Sequence, residues 1–119
     1  MAKVKIGNFT PATAKRPETN KNIKTFFACG PADIHFNQIT EVSIGCDVTI
    51  PEGFIGILCP MTKMIDVSSV VIENSGIVTG TFNRIKMRKG TSGSVRIRSE
   101  EPIATLILVP VEPFDFVTY

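Results

Sequence analysis

From Glu41 to Ile50 the chain reads E-V-S-I-G-C-D-V-T-I, with Val42, Ile44, Cys46, Val48 and Ile50 at every second position. A period of two puts those side chains on one face of an extended strand, whereas a helix would scatter them around its axis. The run ends in Pro51-Glu52-Gly53, where proline pre-sets φ and glycine can take positive φ, as a turn requires. A second apolar strand, GFIGILCP, follows at once. In IDVSSVVIEN the β-branched Val70, Val71 and Ile72 favour extended structure until Asn74-Ser75-Gly76 breaks it. GIVTGTFNRIKMRKG and GSVRIRSE read as a hairpin across Gly90-Thr91-Ser92-Gly93. PIATLILVPVEPFDF is an apolar strand closed by Pro110 and Pro113.

Short strands about ten residues apart with turn residues between them predict an all-β barrel or sandwich. Only MTKMIDVSS has room for a turn or two of helix. Residues 10–24, polar and carrying two prolines, read as an extended arm, and residues 111–119 as an interacting tail. The expectation is one domain over residues 1–119, since 119 residues bury roughly 65% of the unfolded surface.

A formal charge of +2 provides no global field toward nucleic acid or membrane, so neither is an expected partner. No apolar run approaches the roughly 20 residues of a membrane span, and MAKVKIGNFTPATAKRPETNKN lacks a signal-peptide core. Cys29, Cys46 and Cys59 have no C-x-x-C spacing, and there is one histidine, His35. They read as three buried, reduced thiols in an intracellular compartment rather than zinc ligands.

The stretch LCPMTKM, Leu58 to Met64, runs an apolar strand into a polar segment where a phosphate site would place Arg, Ser and Gly. Its context resembles the trimeric dUTPase family and its relatives the dCTP deaminases, over about residues 3–110. TPATAKRPE looks like the family's opening segment. GPADIHF stands where the family has A-G-x-D-L, with Asp33 matching the motif's Asp. IPEGFIGILCP is similar to l-P-x-G-x-x-G-x-v-x-P, with Pro51, Gly53, Gly56 and Pro60 in register. Thr62 to Gly76 matches the family's spacing to its substrate hairpin, and SEEPIATLILVPV resembles the G-D-R-I-A-Q-L strand through Ile103, Ala104 and Leu106. The resemblance implies a distorted β-barrel of jelly-roll type, assembled as a homotrimer.

The departures bear on function. Where the family's P-R-S-G-L supplies Arg and Ser to phosphates, this chain has Pro60, Met61, Thr62, Lys63 and Met64. Methionine cannot neutralise a phosphate, so Met61 and Met64 read as packing residues and Lys63 as the one remaining anion-binding candidate. Where the family's hairpin has its catalytic acid and its sugar-packing Tyr, this chain has Thr79 and Phe82. Threonine has no usable acid–base pKa near neutrality, so general base catalysis from that position is lost. In the G-D-R-I-A-Q segment the Gly, Asp, Arg and Gln become Glu100, Glu101, Pro102 and Thr105. The family's Gly-rich C-terminal motif has no counterpart in VEPFDFVTY.

Other candidates stand outside these motifs. Asp33 and His35 share a strand face but read as polar surface residues; Glu100-Glu101 reads as a solvated turn. Asp66 and Glu73 could line a pocket, with no partner evident in the sequence. Arg84, Lys86 and Arg88 alternate on one face, Arg96 and Arg98 repeat the pattern, and Lys89 lies between. That is six of the thirteen basic residues within one segment free of acids: an ordinary solvated face, or a contact for an acidic protein surface, nucleic acid or a nucleotide phosphate. Phe114, Phe116 and Tyr119 give the tail an apolar, alternating end; the resemblance implies that it packs in an intersubunit groove, the alternative being that it completes its own barrel.

These readings predict a dUTPase-like β-barrel that is not a catalyst, needs no cofactor and acts as a homotrimeric binding or structural protein. Decoration of a viral capsid, with the major capsid protein or another acidic protein surface as partner, fits best. The alternatives are a divergent nucleotide hydrolase using Asp33, Thr62 and Lys63, for which Mg²⁺ would be required, and a catalytically inactive nucleotide-binding regulator.

Overall fold

A computed structural model describes every residue except Met1, Val67, Ser68, Pro113, Phe114 and Tyr119, and places Ile65 and Asp66 by backbone only. In chain order the elements are β1 (Lys5–Gly7), β2 (Glu18–Asn20), β3 (Ile23–Phe27), β4 (Ala32–His35), β5 (Thr40–Thr49) and β6 (Phe54–Pro60). Then come the one-turn helix α1 (Thr62–Asp66), β7 (Val70–Ile72), a turn over Glu73–Gly76, β8 (Ile77–Val78), β9 (Thr81–Lys89), β10 (Ser94–Ile97) and β11 (Pro102–Pro110). The all-β reading holds, and the helix falls where MTKMIDVSS allowed one.

Three antiparallel sheets result: a four-stranded sheet in the order β1-β5-β9-β7, a five-stranded sheet in the order β2-β3-β11-β6-β8, and the pair β10-β4. The alternating side of β5 faces inward, with Val42, Ile44, Cys46, Val48 and Ile50 all buried. They share one core with Ile85 and Met87 of β9, Phe26, Leu58, Ala104 and Leu106 of the five-stranded sheet, and Ile34 and Ile97 of the pair. Burying each such aliphatic side chain is worth about 1.5–3 kcal/mol. No described residue buries a polar or charged side chain. Of the three thiols expected to be buried only Cys46 is, with Cys29 half-buried and Cys59 exposed.

The expected hairpin between the two basic strands does not form. β9 is bonded on one side to β5 and on the other to β7, so both its edges are occupied. The Gly90–Gly93 turn instead carries the chain out of that sheet, and β10 pairs with β4, setting Val95 opposite Ile34 and Ile97 opposite Ala32, with Ile34 and Ile97 both in the core. The strand expected across IDVSSVVIEN is limited to β7, because α1 takes the residues before it.

The segment 10–24 lies against the body of the protein. β5 shifts register against β9 between Ser43 and Val48, and the first part of the segment meets the backbone there. Thr10 N donates to Gly45 O at 2.9 Å, and Cys29 N donates to Ser43 O at 2.8 Å. Arg16 stacks over the Phe9 ring at 3.7 Å. Beyond Pro17 the chain forms β2, which pairs with β3.

Candidate functional site

A cleft of about 250 Å³ opens between β6, the Glu73–Gly76 turn, β8 and β9. Its apolar wall includes Leu58, Ile72, Val78 and Ile85, and its polar rim Asn74, Thr79, Arg84 and Lys86. Tight backbone geometry shapes the turn. Asn74 and Ser75 both have φ near +55°, and Gly76 has φ +75°. A Cβ on Gly76 would lie 2.0 Å from Leu58 O, so only glycine lets the turn close against β6.

Two of the seven motif positions meet in this cleft. Thr79 is exposed at its rim, and Phe82 lines it while packing edge-to-face on the core residue Phe26, with centroids 6.4 Å apart. The other five do not line it. Met61 packs against the core and Met64 is buried in it, as their packing role requires. Thr62 and Lys63 are exposed on α1, with no hydrogen bond or ion pair to a described residue. Thr105 stands on β11 opposite Cys59 and Thr25. Asp33 and His35 share the exposed face of β4, where the Asp33 carboxylate accepts from Arg96 Nη1 at 3.1 and 3.3 Å.

Among the described residues, Glu73 is the one carboxylate lining the cleft, and it has a partner that its sequence neighbours do not reveal. Arg88 Nε donates to Glu73 Oε1 at 2.7 Å. Residues fifteen apart in the chain meet because β7 lies beside β9, which sequence spacing alone could not disclose. The Asp66 side chain lies outside the described residues.

The basic segment is likewise divided by the fold. Arg84 approaches Glu41 at 3.5 Å, Arg88 pairs with Glu73, and Arg96 with Asp33. Lys89 Nζ donates to Thr91 Oγ1 and Ser92 O, while Lys86 stands across from Glu41 in register. Arg98 is exposed with no ion pair to a described residue. The acids missing from the segment's sequence thus arrive from β4, β5 and the cleft turn. In the tail, Phe116 is 89% exposed, and Phe114 and Tyr119 lie outside the described residues. Glu100 and Glu101 form a turn in which Glu100 N donates to Ala28 O.

The cleft is smaller than the about 300–1,000 Å³ of sites that enclose small molecules. Among the described residues no group of three His, Cys, Asp or Glu could hold a metal ion. Asp33 and Glu73 are each held by an arginine. No described helix is long and apolar enough to cross a membrane.

The sheet order, the turn closed on Gly76 and the cleft beside it together define a protein of the dUTPase fold, as the motif register implied. No family model matches the chain, and no curated protein matches it in sequence. Among solved structures, the dUTPase of Staphylococcus bacteriophage 80alpha with dUpNHpp has a TM-score of 0.79 at 19% identity, over 98% of this chain and 88% of that one. The same phage protein in another structure has a TM-score of 0.76 at 18% identity, covering 98% and 96%. An aspartate-to-asparagine variant of the dUTPase from phage phi11 of S. aureus, a protein described as coordinating a structural Mg(II) ion, has a TM-score of 0.78 at 15% identity, covering 98% and 96%. At these identities the likeness is one of fold.

Proposed function

We propose that this chain is a non-catalytic dUTPase-fold protein that assembles as a homotrimer and serves as a structural binding module, with decoration of a viral capsid as its role. The observation that carries the reading is the cleft itself. Thr79, which the motif register aligns with the family's base, is at the cleft's rim, and among the described residues the one carboxylate lining the cleft is engaged by Arg88. Three identical subunits match a threefold or quasi-threefold coat site, and multivalency multiplies weak contacts with a capsid protein. The solved structures described above come from phages, which supports the setting by analogy of fold.

Incubation with dUTP or dCTP and Mg²⁺, read by pyrophosphate release, should give no turnover above the buffer rate. Co-sedimentation with capsids should retain the protein where duplex DNA across a salt series does not. Turnover, or retention on DNA alone, overturns the reading. A second reading, a nucleotide-binding regulator, is favoured by the persistence of the cleft with Phe82 in its wall. Saturable binding of dUMP without turnover, measured by calorimetry and abolished by Phe82→Ala, would support it over decoration.

A further inference from the structure

We propose that the groove between β1 and the β2–β3 hairpin is a binding site for a single-chain anionic amphiphile, an aliphatic tail with a carboxylate head. It shares no lining residue with the cleft beside Gly76, and it stands whether or not the chain decorates a capsid.

Two strands end their sheets here without meeting. β1 pairs only with β5, and β2 pairs only with β3, so no ladder closes this side of the molecule. The gap between them is a groove of about 560 Å³, within the about 300–1,000 Å³ of sites that enclose small molecules. It is lined by Leu106 and Leu108 of β11, and by Val4 and Ile6 at β1. All four belong to the core or pack against it, so the inner part of the groove is aliphatic. None of the described lining residues is aromatic, and a nucleobase would find no ring to stack on.

The mouth of the groove is cationic. Lys24 lies on the same side of β3 as Phe26, which is fully buried, and stands across from Leu106, which is 3% exposed. A charge on the inward side of a strand can guard an open sheet edge. β3, however, has β2 on one side and β11 on the other, so there is no edge to guard. Lys24 Nζ donates to the Thr19 hydroxyl, which uses one of its three donors. Lys21, in the turn of the same hairpin, also lines the groove and is exposed. Neither lysine has an ion pair to a described residue, and no described acid lines the groove; the neighbouring Glu18 pairs with Lys15.

Charge complementarity and the aliphatic lining together identify the occupant. Two cations without a counter-charge suit a carboxylate, which accepts from both in charge-assisted hydrogen bonds. A nucleotide or inorganic phosphate would answer the lysines and leave Val4, Ile6 and Leu108 facing water. An uncharged hydrocarbon would cover those residues and leave the lysines unanswered. A molecule with both parts uses the whole groove, because burial of its tail adds to the pairing of its head.

Calorimetric titration of the full chain with dodecanoate, kept below its micelle concentration, should give saturable binding of one molecule per chain. Decanoate should bind about 15-fold more weakly, since each buried CH₂ is worth about fourfold. Dodecyltrimethylammonium, with the same tail and the opposite head, should bind about tenfold or more weakly than dodecanoate. Lys21→Glu combined with Lys24→Glu should weaken dodecanoate by about tenfold or more and invert the preference, so that the cationic amphiphile binds better. That inversion also establishes that the variant folds with its groove intact. Arg98→Ala, outside the groove, should change neither affinity. No saturation, many molecules per chain, or equal binding by wild type and the double variant overturns the site. Dodecanoate bound by the dilute monomer and lost as the chain assembles means that a second copy fills the groove, and overturns it as a ligand site.

Discussion

Arg88 Nε donates to Glu73 Oε1 at 2.7 Å, tying the end of β9 to the turn that walls the cleft. The pair closes one side of a backbone turn with three consecutive positive φ angles, Asn74 to Gly76. It also occupies the one acid among the described residues lining the cleft. A carboxylate that accepts a charge-assisted hydrogen bond is poorly disposed to take a proton from water. The same contact therefore both braces the turn and engages that acid.

Glu73→Ala and Arg88→Ala should each lower unfolding stability by about 1 kcal/mol, a value discounted for the partial exposure of both side chains. A double-mutant cycle by urea denaturation should give a coupling of about 0.5–1 kcal/mol. Additive effects would mean that the pair does not hold the turn.

Gly76→Ala should be far more damaging. The new Cβ would meet Leu58 O at 2.0 Å in a backbone at φ +75°, and a carbonyl cannot give way as a side chain can. A loss of about 3 kcal/mol or more is expected, read as a lowered denaturant midpoint with unchanged slope.

Burial, reinforced by the nearby Asp47 carboxylate and only partly opposed by Arg16, pushes the Cys46 thiol up to about 11 from 9.0. Its raised folded-state value favours the folded protein below pH 9, and that contribution is lost as pH rises from 9 through 11. The loss should be about 2–3 kcal/mol, and it should be missing from Cys46→Ala when stability–pH curves are compared. At pH 8 iodoacetamide should leave Cys46 unmodified in the folded protein, by mass spectrometry.

Each of three arginines in the basic segment has a carboxylate beside it, so wild type should bind duplex DNA weakly and with a shallow salt dependence. Combining Asp33→Asn, Glu41→Gln and Glu73→Gln removes three negative charges and takes the formal charge from +2 to +5. The triple variant should bind more tightly at low salt, with a steeper slope, in fluorescence anisotropy. An unchanged slope would mean that those carboxylates do not mask the arginines. Asp33→Asn alone, at an exposed pair, should change stability by less than about 0.5 kcal/mol.

Much of the fold was legible locally. The alternation from Val42 to Ile50 placed β5 and its buried face, and Pro51 with Gly53 placed the turn before β6. Thr79 and Phe82 could be aligned with the cleft through motif register, since both lie a short chain distance from the Asn74–Gly76 break. The pairing of β10 was not legible. Neighbouring strands joined by Gly90 and Gly93 favour a hairpin locally, but β5 and β7 had already taken both edges of β9.

By itself the sequence determined which residues would be extended, which side of β5 would be buried, and that no acid stands at residue 79. Those are properties of a two-residue backbone period and of side-chain chemistry, and they need no knowledge of distant neighbours. Only the tertiary structure decided that Glu73 faces Arg88, that Asp33 faces Arg96, and that Ile57 lies between Ile77 and Ile107 on an outer face. Strand order sets those meetings, and strand order follows from which edges and faces remain free once the core has closed.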